Sequence, residues 1–194
     1  MKNTLRAAVF LLLAATALTA PAQAQDVPPV VSAIFKSWET QLRATPAYDK
    51  IETDSSGNVT ISNLVATVGA QDPSTAMKLS IGSIALENVA PEANGLIAVG
   101  AATFSDTKME MAGPDNKNIV IEVPTSSLEE WHVAVPGSNP TPLQSFRSTM
   151  WIAKKMTSGE IKFTAEGQSF TAKGAETAWS GDPVTGAGKT TMSL

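Results

Sequence analysis

The chain contains no cysteine, and it has one histidine and one tyrosine among its 194 residues. Without cysteine the protein can form no disulfide, no thiol-based active site and no lipid attachment through a cysteine side chain. With a single histidine, a zinc site would have to rely on carboxylate ligands, which is poor ligation for that metal. These absences exclude thiol chemistry and argue against a zinc enzyme.

Positive charge is scarce as well, with 14 Lys and Arg against 18 Asp and Glu. Lys2 and Arg6 precede an apolar run at residues 7–20, and Ala22-Gln23-Ala24 follows as a small-x-small cleavage site. This order is typical of a signal peptide, so we expect residues 1–24 to be removed. The mature chain, beginning at Gln25, would carry 12 basic and 18 acidic residues, a net charge of −6. This charge argues against nucleic acid as a partner.

Long hydrophobic segments are missing after this leader. A membrane-spanning helix needs about 20 apolar residues, and the run at residues 7–20 is shorter. We therefore expect an exported, periplasmic protein that is not a lipoprotein and has no membrane span after signal cleavage. The remaining length suits one ordinary domain.

The most regular pattern lies in residues 57–89. Val59 and Ile61 alternate with polar neighbours, which is typical of a half-buried strand. The alternation then shifts by one residue, which predicts a β-bulge near Ser62-Asn63. Met77, Leu79 and Ile81 begin a second strand with a similar shift before Ile84 and Leu86, and the turn formers at 69–74 separate the two strands. The sequence therefore predicts a long antiparallel hairpin with one apolar face.

Helical periodicity is found on both sides of the predicted strands. Val31, Ile34, Phe35, Trp38 and Leu42 share one helical face, which predicts an amphipathic helix over 29–44. Further strands are expected in 96–111, 119–123 and 130–135, broken by Pro124 and Pro136. A second apolar stripe, with Phe146 and Met150 at its centre, predicts another helix over 142–156.

The second half of the chain echoes the first. Phe35 and Phe146 lie 111 residues apart, while Gly57 and Gly167, and Asp72-Pro73 and Asp182-Pro183, lie 110 apart. These anchors predict a helix–hairpin unit used twice, with a first unit in 25–139 and an incomplete second in 140–194. The alternatives are coincidence, since turns attract Gly and Asp-Pro, and one continuous domain.

The motifs that resemble active sites lack residues or spacings that their chemistry requires. Residues 183–191 look like a phosphate-binding loop, but Pro183 occupies the position of the first glycine and no room is left for the helix. His132 is expected to be a strand-end or surface residue, and Asp115, Asn116 and Asn118 lack the ligand spacing of an EF-hand. We therefore predict a protein that is not an enzyme and has no cofactor or metal.

The hairpin strands resemble a known type of protein. The patterns Gly-x-Val-Thr-Ile-x-Asn-Leu at 57–64 and Leu-x-Ile-Gly-x-Ile-x-Leu-x-Asn-Val at 79–89 look like the repeating strands of uncharacterised exported proteins of alphaproteobacteria. More distantly they are similar to AsmA-like envelope proteins, which build long β-grooves. This resemblance implies an envelope protein whose curved sheet shelters acyl chains or another apolar ligand, and it transfers no functional residue.

The predicted fold is α+β and mostly β, with long antiparallel curved sheets and two amphipathic helices. Two functions remain open. In the first, the apolar strand faces form a groove that binds or transfers lipid or another apolar ligand. In the second, they form a closed core, and strand edges bind an envelope protein or a second copy. The residues predicted to line the groove or core are Phe35, Trp38, Ile61, Leu64, Leu79, Ile81, Leu86, Phe104, Phe146 and Met150.

Overall fold

One helix precedes ten strands in the computed structural model, which describes residues 27–69, 76–92, 96–113, 117–134, 152–181 and 187–193. The elements in chain order are α1 (Pro29–Leu42), β1 (Lys50–Thr53), β2 (Val59–Val68), β3 (Met77–Pro91), β4 (Leu96–Ala112), β5 (Asn118–Ala134), β6 (Ile152–Ser158), β7 (Ile161–Ala165), β8 (Gln168–Ala172), β9 (Glu176–Gly181) and β10 (Gly188–Ser193). The prediction of a mostly β fold that also contains a helix is confirmed. The predicted signal peptide lies outside the described residues.

Helix α1 confirms the first helix prediction. Pro28 and Pro29 stand at its start, where proline's missing N–H costs no helical hydrogen bond. The helix ends where Arg43 adopts a left-handed conformation with φ of 49°. Val31, Ile34 and Trp38 are buried against the sheet. The amphipathic stripe thus packs on the chain's own sheet, as the periodicity predicts.

The strands form one antiparallel sheet in which neighbours in sequence are neighbours in space, from β1 through β5. β5 is long enough to pair with β6 along one half and with β7 along the other. β6 and β7 keep the same register against β5, so together they act as one interrupted strand, and β8 and β9 do the same against them. The strands on either side of residues 139 and 140 therefore belong to a single sheet.

Two transverse kinks cross the sheet where strand residues adopt a positive φ. In the first kink, Asn63 on β2 and Asp106 on β4 have φ of 51° and 54°. In the second, Asn88 on β3 and Glu130 on β5 have φ of 54° and 47°. At each site the buried positions change phase, so that Ile61 is followed by Leu64 on the same face.

A glycine faces two of these residues from the neighbouring strand. Gly82 lies opposite Asp106, and Gly100 lies opposite Asn88. A Cβ atom at Gly100 would come within 2.9 Å of the Asn88 Cβ, and one at Gly82 within 3.1 Å of the Asp106 Cβ. The glycines are therefore required because the left-handed residue places its side chain over them.

The first kink corrects two sequence predictions. The phase shift near Ser62-Asn63 is real, but it is not a bulge with an inserted residue, because Ser62 pairs with Ser83 and Leu64 with Ile81 in one register. Pro124 does not end its strand either. It lies in β5 opposite Asp106, where the ladder is already interrupted, so its missing N–H removes no bond.

The second predicted helix is wrong over 152–156, which belong to strand β6. Ala153 and Met156 lie three residues apart on one face because the second kink passes between them, at Lys154. A kinked strand therefore imitates helical spacing. Phe146 and Met150 lie outside the described residues.

The helix–hairpin repeat is not confirmed. Gly57 and Gly167 both occupy turns with positive φ, of 83° and 76°. However, β2 pairs with β3 on its far side, whereas β8 pairs with β7 alone within the described part of the chain. The Asp72-Pro73 and Asp182-Pro183 anchors lie outside the described residues.

Candidate binding cavity and apolar band

An apolar cavity of about 240 Å³ lies between the second half of α1 and the sheet. Trp38 and Leu42 of α1 form its helical wall, and strands β3 to β6 form the rest. The strand residues that line it are Leu79, Ile81, Phe104, Thr107, Met109, Ser126, Leu128 and Met156. The polar side-chain groups among the described lining residues are the hydroxyls of Thr107 and Ser126 and the indole N–H of Trp38, and none of these residues is charged.

The kinks position these side chains. Phe104 precedes Asp106 on β4 and Thr107 follows it, yet both line the cavity because the left-handed residue changes the phase of the strand. Regular alternation would send one of them to the opposite face. The first kink therefore allows one apolar face to continue along the whole length of the strand.

Beyond the cavity this face continues as an apolar band, defined here as two rows of directly opposed residues across β3, β4, β5, β7 and β8. Directly opposed residues of antiparallel strands point to the same face. The members of the band are Met77, Met111, Ile119 and Ala165 in one row and Leu79, Met109, Ile121, Phe163 and Phe170 in the other.

The band differs from the core in its exposure. The side chains beneath α1 are buried, whereas the band's members are half-buried, except Phe170, which is 61% exposed. The rings of Phe163 and Phe170 stack with centroids 4.8 Å apart and planes 8° from parallel. A contiguous apolar surface that stays half-exposed is typical of a site that binds a ligand or another protein.

Charged side chains occupy the opposite face of the same strands. Lys108 pairs with Glu110 at 2.7 Å, and Lys162 pairs with Glu122 at 3.3 Å. The hydrogen bond from Lys108 holds the pKa of Glu110 below its ordinary value, and the Glu110 carboxylate raises the pKa of Lys108. The sheet is thus two-faced, and Lys108 and Glu110 both remain charged at neutral pH.

Four of the residues predicted from sequence meet in the cavity: Trp38, Leu79, Ile81 and Phe104. Three others, Ile61, Leu64 and Leu86, lie fully buried in the hydrophobic core. Phe35 is partly buried, with its ring 5.4 Å from that of Tyr48.

Sequence reasoning missed the lining residues on β5 and β6, Ser126, Leu128 and Met156. Ser126 is polar, so it gives no apolar signal, and Met156 fits a helical stripe equally well. The strand register that brings Met156 opposite Leu128 is what reveals them. A usable signal was the recurrence of glycine six residues before Asn63, Asn88 and Asp106, at Gly57, Gly82 and Gly100.

A second, more polar cavity of about 280 Å³ is lined by residues that include Glu130, His132, Lys154 and Trp179. His132 Nδ1 lies 3.0 Å from Glu92 Oε2, and Lys154 pairs with Glu130. No cluster of three or more metal-ligating side chains occurs among the described residues. The phosphate-loop lookalike continues after residue 187 as strand β10, so its Lys189 does not begin a helix.

No helix in the described ranges combines the length and apolar character that crossing a bilayer would require. Compared with protein-family models the chain finds no match, and compared with curated proteins it finds none either. The geometry of the cavity and of the apolar band therefore has to carry the functional proposal.

Proposed function

We propose that the protein is a non-enzymatic protein of the bacterial cell envelope that binds or transfers a lipid or another apolar ligand. The observation that carries the proposal is the apolar cavity beside α1, which continues into the half-exposed apolar band. The resemblance of the hairpin strands to AsmA-like envelope proteins agrees with this function. The two kinks would also bend the strands into the curved groove that such a protein needs.

The chemistry of the lining favours the hydrocarbon part of an amphiphile. Burying a charge without a partner is costly, and the described lining residues are uncharged, with the Thr107 and Ser126 hydroxyls and the Trp38 indole N–H as their polar side-chain groups. A charged headgroup would therefore remain outside while its chain enters. Within the described part of the chain, the lining residues include no histidine or carboxylate beside a hydroxyl, which is the arrangement that nucleophilic catalysis needs.

The dimensions favour a single unbranched chain. The cavity, at about 240 Å³, is smaller than the ~300–1,000 Å³ of sites for drug-sized molecules. The band crosses from β3 to β8, four strand spacings of ~4.8 Å, or roughly 19 Å. One acyl chain fills half of the ~30 Å hydrocarbon core of a bilayer, or about 15 Å. An extended acyl chain therefore fits along the band, whereas a bulky ring system does not fit the cavity.

The site of action follows from the predicted leader. We propose that the protein works in the periplasm, where the signal-peptide pattern of residues 1–24 would deliver it. Amino-terminal sequencing of the protein from the periplasmic fraction of an expressing bacterium is expected to read from Gln25. A sequence that still begins at Met1 contradicts this localisation.

Ligand binding is tested on the protein purified from such a fraction. Native mass spectrometry is expected to show a co-purified lipid mass, and a fluorescent fatty acid is expected to bind in competition with an unlabelled one. Ser126→Trp fills the cavity and should weaken this binding about tenfold or more, since it displaces several methylenes worth ~0.8 kcal/mol each. Thr125→Trp is the matched control, because Thr125 is the exposed neighbour on β5. A protein that carries no lipid and binds no fatty acid refutes the proposal.

The second candidate function is that of an envelope interaction protein that binds partners at its strand edges. The observation in its favour is strand β8, which pairs on one side only within the described chain and carries no charged residue. Such an edge is a template for adding a further strand. Purification of a monomer without bound lipid would refute the lipid-binding function. Failure of the β8 edge to pair with a strand of any partner would refute the interaction function.

A further inference from the structure

The strands that form the cavity and the apolar band turn their charged side chains away from them. The described lining residues are uncharged, and so are the members of the band. Side chains alternate between the two faces of a strand, so the charged strand residues next to these positions point to the opposite face. They are Lys78, Asp106, Lys108, Glu110, Glu122, Glu129, Lys155 and Lys162. A charged headgroup of a bound amphiphile therefore needs a partner from outside these strands.

Helix α1 lies on this face and supplies such a partner. Its charged residues are Lys36 and Glu39, and Arg43 follows directly after its last residue. Lys36 Nζ lies 3.2 Å from Glu39 Oε2, and both side chains are largely exposed, so these two charges balance each other on the outer side of the helix. Arg43, in contrast, forms no ion pair with any residue in the described part of the chain. Its guanidinium is therefore available to a ligand.

Arg43 lies at the edge of the cavity. Leu42, which precedes it, lines the cavity, and Ala44, which follows it, is only 1% exposed. The backbone amides of Ala47 and Val65 each donate a hydrogen bond of 2.8 Å to the other residue's carbonyl, which ties the next segment to β2. The backbone of Arg43 is thus held between two packed residues while its long side chain is exposed. A cation is therefore fixed beside the wall of an apolar site.

Given the function proposed above, on which this inference rests, we propose that Arg43 binds the headgroup of the ligand. The ligand is then a single-chain amphiphile whose headgroup is a carboxylate or a phosphate. A guanidinium pairs with either group through two parallel hydrogen bonds, and both charges strengthen these bonds. The hydrocarbon chain extends from Arg43 past Leu42 and Trp38, where it meets the apolar lining. Arg43 thus selects anionic amphiphiles over neutral and cationic ones.

Arg43 also stabilises the end of α1, and this role is independent of any ligand. The last carbonyl groups of a helix carry a partial negative charge, which a cation next to them offsets. Loss of this stabilisation would change the affinity for every ligand of the cavity alike. Loss of a headgroup contact would change the affinity for anionic ligands only. Selectivity among ligands that share one hydrocarbon chain therefore separates the two roles.

Dodecyl ligands with different headgroups test this role of Arg43. Isothermal titration calorimetry of the delipidated protein, with every ligand below its critical micelle concentration, compares laurate, dodecyl phosphate, dodecanol and dodecyltrimethylammonium. We expect at least one of the two anions to bind about fivefold or more tightly than dodecanol, because only an anion forms charge-assisted hydrogen bonds with a guanidinium. The anion that binds more tightly identifies the headgroup as a carboxylate or a phosphate.

Variants at position 43 assign this preference to one side chain. Arg43→Gln should abolish the preference for the anion and leave the affinity for dodecanol unchanged, which also shows that the cavity of the variant is intact. Arg43→Glu should shift the preference toward dodecyltrimethylammonium, and Arg43→Lys should keep part of the preference for the anion. Lys36→Gln removes an exposed cation from the same helix and is the matched control, which should bind all four ligands like the wild type.

The results that contradict the role of Arg43 differ from those that contradict the proposed function. Wild-type protein that binds dodecanol as tightly as both anions overturns the headgroup assignment, and so does a preference for the anion that persists in Arg43→Gln. In both cases dodecanol still binds, so the apolar site remains supported. Wild-type protein that binds none of the four ligands refutes the proposed function, and the headgroup assignment falls with it.

Discussion

At the scale of single residues, Asp54 shows how a short sequence fixes a turn. Its side-chain oxygens accept hydrogen bonds from the Ser56 amide at 2.8 Å, the Asn58 amide at 2.9 Å and the Asn58 side chain at 2.9 Å. One carboxylate thus accepts three of the hydrogen bonds that hold the turn between β1 and β2, beside the backbone bonds of the turn itself. Turn formers in the sequence predict that a turn occurs here, but not which side chain closes it.

The pH dependence of stability should report on this carboxylate. The hydrogen bond from the Asn58 side chain, with those from backbone amides, holds the pKa of Asp54 below its ordinary value of 3.8. Because the folded pKa is depressed, the stabilisation is present above pH ~4 and is lost as the pH falls through the folded value. We therefore expect Asp54→Asn to lower Tm at pH 7 but not at the acid limit. An equal loss of Tm at both pH values would contradict this account, and Glu52→Gln is the control at a neighbouring exposed carboxylate.

At the scale of elements, the sequence predicts the type of each regular segment better than its interruptions. Helix α1 could be predicted because Val31, Ile34 and Trp38 keep a 3.6-residue period without a break. Strands β2 and β3 could be predicted on each side of their kinks. The kinks themselves depend on pairing between strands, since Asn88 needs a glycine opposite it, and a linear pattern does not show which residue lies opposite.

The same physics explains the error at β6. A strand that passes through a kink places apolar residues at i and i+3 on one face, as Ile81 and Ile84 do on β3. Ala153 and Met156 repeat that spacing, which a helix also produces. Four of the ten described cavity residues, Trp38, Leu79, Ile81 and Phe104, could be predicted from helical periodicity and strand alternation. Thr107 became visible only through the kink at Asp106, and Ser126 only through the register that places it opposite Phe104.

The second kink should be sensitive to the size of the side chain at position 100, where Gly100 lies opposite Asn88. Gly100→Ala would push a methyl group against Asn88, and overpacking of this kind costs about 1–3 kcal/mol. Replacing Asn88 by Gly removes the obstructing side chain and keeps a residue that tolerates positive φ. The double variant Asn88→Gly/Gly100→Ala should therefore regain most of the lost free energy of unfolding in urea denaturation. Additive losses in the double variant would show that the two positions are not coupled.

At the scale of the whole molecule, the sheet separates two kinds of surface. One face carries α1, the cavity and the apolar band, and the other carries ion pairs such as Lys108–Glu110. The helix covers the core beneath it but leaves the band half-exposed. A protein that only needed a stable core would have little reason to extend its apolar face across β7 and β8, whereas a protein that holds an acyl chain needs this surface.

Two adjacent positions on β5 allow a test of whether the apolar face itself, and not only an intact strand, is needed for ligand binding. Ile121 belongs to the apolar band, and its neighbour Val120 points to the opposite face, where it pairs with Glu110 on β4. Both side chains are half-buried, so a lysine at either position disturbs the fold to a similar extent. Ile121→Lys places a charge on the band, where we propose that the acyl chain lies. Since an unpaired charge among methylenes is costly, we expect fatty-acid binding to fall about tenfold or more. Val120→Lys places its charge on the opposite, charged face, next to the Lys108–Glu110 pair, and should bind the fatty acid like the wild type. Equal fatty-acid affinities in the two variants would show that the band takes no part in ligand binding and that the ligand occupies only the cavity beside Trp38.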